Sequence, residues 1–555
     1  MLYDPAAMKR ASVLLPALLV VAASAQAPDF AAEGKAWWSH IQVLADDTLE
    51  GRNVGTPGYE KAVEYVESQF KAIGLKPGGT AGYLQPVKFE NRSFGTVPPV
   101  LSLIRDGREE ALTTQEVSLN ARGELDGTTE AGLVFVGYGL SIPEAGWDDL
   151  KGVNLRGRIA VYVNAFPPIK VSDNVKSHAN TADERWAAIK RAGAIGIATM
   201  GVPSATASAV APPAAAAAPA AATGATQGGR AGGAPAPPVV VLADRDVQNL
   251  SGQLLTANLT ARGAEKIFAG AAHTLAEIGQ LVRDGRELPR FDLPVRLKAA
   301  AKAVRETFEA ANVAGLLEGS DPVLKSEVVV MTSHLDHVGI GRAVNGDSIY
   351  NGAMDDASGV AAMIEIARML KAGKATTKRS IMFVAVAAEE KGLLGSRYFA
   401  AHPTVPFAKI VADINLDMFL PLYPLKVIEV QGLAESSLGE SVKAAAATFG
   451  VAVQTDREPE QNRFIRSDQY SFIRRGIPAL AFKFGYEFGS PDQTTRLNWV
   501  RDRYHQPSDD LTQPIDLEAA GTFNRVIMTL LQRVANDAAR PTWNADSFFK
   551  RFATK

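Results

Sequence analysis

From about residue 310 onward, short unbroken apolar runs alternate with longer amphipathic ones. The apolar runs are "SEVVVMTSH" (326–334), "RSIMFVAVAAEE" (379–390), "KIVADINLDMF" (409–419) and "PALAFKFG" (478–485). Between them lie "SGVAAMIEIARMLKAG" (358–373) and "LLGSRYFAAH" (393–402), whose apolar positions recur at helical spacing. Strands that are apolar throughout are covered on both faces. Alternation with helices therefore predicts an α/β fold with a mostly parallel, doubly wound sheet in three αβα layers. In such a sheet, ligands gather at the carboxyl ends of the strands.

The pattern changes upstream. In residues 36–76, Thr56 followed by Pro57 reads as a helix start; Val63, Val66, Phe70 and Ile73 share one face, and Gly74 ends the run. Residues 100–290 have shorter strands bounded by glycine, as in "GLVFVGYGL" and "GRIAVYVNA", followed by a helix and strand in "ERWAAIKRAGAIGIATM". This predicts a smaller, β-rich inserted unit. Within it, residues 204–238 are almost wholly Ala, Pro, Gly, Ser and Thr, with little to bury, and read as a disordered surface loop. The expected organisation is a signal peptide at 1–27, an N-terminal part of the main domain at 30–95, the inserted unit at 100–290, and the main domain at 300–545.

Composition narrows the function classes. A chain of 555 residues is too long for one ordinary core. Its 58 Lys plus Arg nearly balance 60 Asp plus Glu, which gives no basic surface for nucleic acid or anionic membrane. There is no cysteine, so disulfides and thiolate metal sites are out. The start, "MKRASVLLPALLVVAASAQA", has Lys9 and Arg10, an apolar stretch from Val13 to Ala23, and small residues at Ala23, Ala25 and Ala27. That is the pattern of an export signal, too short for a good membrane span. The expectation is a periplasmic or extracellular protein without a membrane span in its mature chain.

The chemistry lies at the ends of the predicted strands. After the first come His334 and Asp336 in "HLDH"; "NGAMDDASG" then sets Asp355 and Asp356 in a glycine-bounded loop before a helix. The second strand runs into Glu389 and Glu390, the third into Asp417, and "RYHQPSDD" brings His505. Adjacent carboxylates repel and lose hydration at a strand end, so such a cluster needs cations. Two divalent metals bound by imidazole and carboxylate would supply them, and one carboxylate can bridge both. One of the two glutamates would ligate while the other stays free to act as a general base.

These motifs, in this order, resemble those of the M28 family of zinc-dependent exopeptidases. "EGRNVGTPGYEKAVEYVESQFKAIGLKP" resembles the same family, and the inserted unit resembles a protease-associated (PA) domain through "DDLKGVNLRGRIAVYV" and its neighbours. The resemblance implies two zinc ions. His334, Asp355 and Asp417 would bind one, and Asp355, Glu390 and His505 the other. Glu389 would be the general base, Asp336 would orient His334, and Tyr504 would assist at the oxyanion. A cis peptide at Asp355–Asp356 is also expected. The implied activity is hydrolysis of N-terminal peptide bonds in peptide or protein substrates by metal-activated water.

Two departures or loose ends accompany it. Gln469, in "SDQYSF", stands where many relatives have histidine, and His337 has no place in the ligand scheme, so a supporting or surface role is expected. His40, His178, His273 and His402 lie outside the motifs. Two alternatives stay open: a carboxypeptidase using Arg463 and Arg466 to clamp a substrate carboxylate, and a binding protein on a peptidase scaffold. A one-zinc cyclotransferase would not need all five ligands, none of which is missing. Oligomeric state and side-chain specificity are not legible.

Overall fold

The computed structural model describes residues 28–203, 238–373 and 376–553. The signal sequence at 1–27 and nearly all of the loop at 204–238 lie outside the described residues. Among the described residues, no helix is long and apolar enough to cross a membrane.

The larger sheet has ten strands. Nine of them form its path: β1 (Leu84–Ser93), β2 (Val239–Leu242), β3 (Val304–Leu317), β4 (Val328–His334), β5 (Ser380–Val386), β6 (Ile410–Leu416), β7 (Val427–Gln431), β8 (Ala452–Thr455) and β9 (Ala479–Phe484). Their order is β2-β1-β3-β5-β4-β6-β9-β7-β8. The four central strands, β5-β4-β6-β9, are parallel, and every residue in them is buried. These are the apolar runs of the sequence. The flanks extend this core in mixed fashion: β3 pairs antiparallel with β5, and β7 antiparallel with β9.

Period-two alternation sorts the central strands between two cores. Val329 and Met331 of β4 and Ile381 and Phe383 of β5 face one cluster, which includes residues from helices Phe30–Leu44, Pro57–Ile73, Ser358–Ala372 and Leu517–Asn536. Val328 and Val330, Met382 and Val384 face the other, with Phe399 and Phe472. Each of these large side chains contributes on the order of 1.5–3 kcal/mol by leaving water. The helix expected at Thr56 spans Pro57–Ile73, with the Thr56 side chain accepting from Tyr59 N–H and Gly74 ending it at φ 78°.

The smaller, eight-stranded sheet is built from strands between Val100 and Ala301, with a parallel centre of Gly127–Val136, Ile159–Val163, Gly196–Met200 and Leu255–Leu259. Two boundaries differ from the sequence reading. Strand Arg290–Ala301 runs past residue 290 because it pairs with both Val100–Arg105 and Gly127–Val136. Val239–Leu242 leaves this unit to pair with β1 at the edge of the larger sheet. Helices Asp173–Ala179 and Ala182–Arg191 dock the unit on the main body. There Asn174 donates to Glu435 (2.7 Å), His178 Nδ1 meets the Tyr470 hydroxyl (2.6 Å), and Arg474 pairs with Glu184 (2.5 Å).

Candidate metal centre

The carboxyl ends of the parallel strands deliver the expected residues to one place. β4 ends on His334; after β5, Ala387 and Ala388 lead into Glu389 and Glu390; Asp417 comes directly after β6. Asp355 arrives from the turn before helix Ser358–Ala372, and the Asp355–Asp356 peptide is cis, as expected. His505 comes from the loop after helix Pro491–Asp502.

Asp355 is the centre of this arrangement. Its Oδ1 lies 3.1 Å from His334 Nε2, and its Oδ2 lies 3.1 Å from His505 Nε2. Glu390 Oε1 is 3.2 Å from the same His505 nitrogen. Asp417 shares a tight group with His334 and Asp355, their ligand atoms all within 4.8 Å of one another. One carboxylate thus faces a different imidazole with each oxygen, as a bridge between two cations would. Asp355 Oδ2 and Glu390 Oε1 are buried without a hydrogen-bond partner. Buried carboxylate oxygens of that kind call for a cation, and imidazole with carboxylate is a donor set that zinc accepts. The residues present fit the metal the sequence implies.

The two adjacent glutamates are driven apart electrostatically. Burial would raise Glu390, but His505 and His337 hold it low. Glu389 is pushed well above the ordinary carboxylate range by burial and by Glu390, Asp468 and Asp417, with only His334 opposing. Neighbouring carboxyls in such different environments suit different roles, one as ligand and one as proton carrier. Burial alone would lower His334 and His505, yet the surrounding carboxylates outweigh it and raise both. Tyr504 stacks on His505, ring centroids 4.0 Å apart, and burial with the nearby carboxylates keeps its phenol protonated to well above its ordinary range.

Asp336 acts differently from the sequence expectation. The backbone carbonyl of Asp336, not its carboxylate, meets His334 Nδ1 at 3.0 Å. The carboxylate instead accepts the amide N–H groups of Glu389 (2.9 Å) and Glu390 (3.3 Å). It positions the glutamate pair, and the backbone positions the histidine.

Several supporting residues take roles that the sequence did not assign. Arg52, fully buried, donates to the carbonyls of Leu335 (3.0 Å), Leu44 (2.5 Å), Asn351 (2.6 Å) and Gly352 (3.0 Å), tying the N-terminal segment to both ligand-bearing loops. Its burial pushes the guanidinium down to about 10, with Asp509 and Asp336 opposing. Asp509 accepts from the amides of Met354 (2.9 Å) and Asp355 (3.1 Å). Asp356 accepts from the amides of Gly359 (2.9 Å), Met418 (3.0 Å) and His334 (3.3 Å), joining three loops. His337, expected at the surface or in a supporting position, is completely buried and lies 2.8 Å from Glu390 Oε1.

The departure at Gln469 also resolves. Its side chain is buried beneath the sheet, where Oε1 accepts from Asn415 (2.8 Å) and Nε2 donates to the Phe464 carbonyl (3.0 Å). It holds in place the segment 459–466, the wall loop. Of the two arginines in that loop, Arg463 is engaged by Glu458 (2.8 Å). Arg466 donates to the Gln461 carbonyl (2.8 Å), but its buried Nε has no partner.

Residues 312–531 match peptidase family M28. "Probable leucine aminopeptidase 2" of Aspergillus oryzae is 27% identical over 296 residues, which is 50% of this chain and 56% of that protein. A "Probable zinc metalloprotease" of Pyrenophora tritici-repentis is 31% identical over 217 residues, 34% of this chain and 50% of that one. "Aminopeptidase Y" of Saccharomyces cerevisiae is 27% identical over 248 residues, 43% of this chain and 42% of that protein. The chain thus spans about half the length of these curated relatives. Among solved structures, an aminopeptidase from Aneurinibacillus sp. strain AM-1 is similar at a TM-score of 0.49 and 20% identity, covering 93% of this chain and 97% of that one.

Proposed function

We propose, from the match of residues 312–531 to peptidase family M28, that the chain is an exported, two-zinc aminopeptidase that removes N-terminal residues from peptides. The observation that carries this reading is Asp355, with one oxygen toward His334 and the other toward His505. His334, Asp355 and Asp417 would hold one zinc, and Asp355, Glu390 and His505 the other. The chemistry supplied on binding is Lewis acidity toward the scissile carbonyl and toward an attacking water.

The protein's own groups do the rest. Glu389, partly exposed at the rim and able to carry a proton, takes one from the attacking water and delivers it to the leaving amine. The Tyr504 hydroxyl, half-buried against His505, is a hydrogen-bond donor for the oxyanion that develops. Asp336 holds the amides of both glutamates, so the base cannot drift from the ligand beside it. The surplus of carboxylate around the cleft favours a substrate that brings a free ammonium group. The inserted unit, read as a PA domain, is braced against the wall loop through the hydrogen bond of Ser177 to Asn462 and would limit substrate size.

A carboxypeptidase is the second reading, supported by the unpartnered guanidinium nitrogen of Arg466. A panel of aminoacyl and N-blocked, C-terminally free peptides separates the two. Cleavage confined to free-amine substrates is expected; cleavage of the blocked peptides would move the assignment to carboxypeptidase.

A further inference from the structure

Three buried donor atoms without a hydrogen-bond partner meet at the second metal position: Asp355 Oδ2, Glu390 Oε1 and His337 Nδ1. His337 Nδ1 stands 2.8 Å from Glu390 Oε1 and 3.9 Å from Asp355 Oδ2. The shorter distance is right for a hydrogen bond, but the two atoms are not aligned for one. Two donors this close, neither directed at the other, have the arrangement of neighbouring ligands on a shared cation. Donors bound to one tetrahedral zinc at about 2.0–2.1 Å sit roughly 3.3 Å apart.

The chain also makes room for this ring. Gly352 has φ +60°, and a Cβ there would come within 2.5 Å of the imidazole. The ring lies edge-on to His505, with centroids 5.6 Å apart. Neither ring nitrogen of His337 has an aligned hydrogen-bond partner within the protein, although both are buried.

We propose that His337 is a sixth metal ligand, placing Nδ1 at the position also served by Asp355, Glu390 and His505. This rests on the two-zinc reading above and departs from its five-ligand set.

X-ray absorption of the wild-type protein loaded with zinc counts imidazoles directly. Three histidines over two metals give about 1.5 imidazoles per zinc, against about 1 for the five-ligand set. A value near 1 with two zincs bound would overturn the proposal and leave the peptidase reading intact, whereas failure to bind zinc at all would remove both. Zinc titration against a chelator adds a second readout through His337→Gln. Binding at one of the two sites should weaken by on the order of 100-fold while the other is unchanged. Unaltered affinity at both sites would overturn the assignment. Should that variant fold poorly, the wild-type imidazole count still decides.

Discussion

The two large sheets of this molecule share an architectural element and differ in the residues at its strand ends. Each has a core of four parallel strands. In the larger sheet those strands run into His334, Glu389 and Glu390, and Asp417. In the smaller sheet, "GYGL" comes after Val136, "NAFPPI" after Val163 and "GVP" after Met200. The tools for a metal site are carboxylate and imidazole, and among the described residues only the larger sheet presents them together at its strand ends. A parallel core collects whatever its strand ends offer; it does not determine what that is.

The largest expected effect that sharpens this contrast is at Glu389. Replacing it with alanine should lower kcat by roughly 10²–10⁴-fold with zinc retained, because in the proposed mechanism it would carry a proton without binding zinc. Loss of zinc with the activity would place it among the ligands instead. Next comes Arg52. Arg52→Met leaves the carbonyls of Leu44, Leu335, Asn351 and Gly352 without their donor. Thermal unfolding should report a loss of on the order of 3–5 kcal/mol, with weakened zinc binding. A stability change within about 0.5 kcal/mol would show that the loops hold themselves.

His178, at the junction of the two regions, predicts a pH effect. Burial lowers it to about 4, with Glu184 and Asp183 opposing and Arg474 assisting, and its Nδ1 meets the Tyr470 hydroxyl. A histidine lowered from its ordinary value of about 6.5 is protonated more readily in the unfolded chain. Its contribution is therefore present above about pH 6.5 and lost as pH falls toward 4, up to about 3 kcal/mol. His178→Gln should flatten stability between these pH values; an unchanged profile would assign the acid sensitivity elsewhere. The smallest effect is expected at the small sheet's own strand end: Asn164→Ala should leave zinc content and kcat within about twofold of wild type. A larger change would break the contrast between the two sheets.

The central strands, and the gathering of the candidate site residues at their ends, were legible because they obey local rules. An unbroken apolar run marks a strand covered on both faces, and its end marks a position in the cleft. What was not legible depends on contacts distant in sequence. Arg52 works through backbone carbonyls about 280–300 residues away in the chain, and no periodicity encodes that. Asp336 has the residue type expected of a partner for His334, but its carboxylate meets the glutamate amides from another strand end. His337, three residues after His334, is turned inward by a loop whose path depends on Gly352 and Arg52. The antiparallel flanks and the crossing of Val239–Leu242 likewise arise from edge pairing, which hydrophobic patterning does not specify.

The central claim is that the strand ends of the larger sheet form one two-metal centre bridged by Asp355. The most direct measurement is zinc content per chain in the folded wild-type protein and in Asp355→Asn after dialysis. About two zinc ions are expected in the wild type, with both weakened in the variant because the bridge serves each. A folded wild type that takes up no zinc, or a variant that still holds two as tightly, would contradict it.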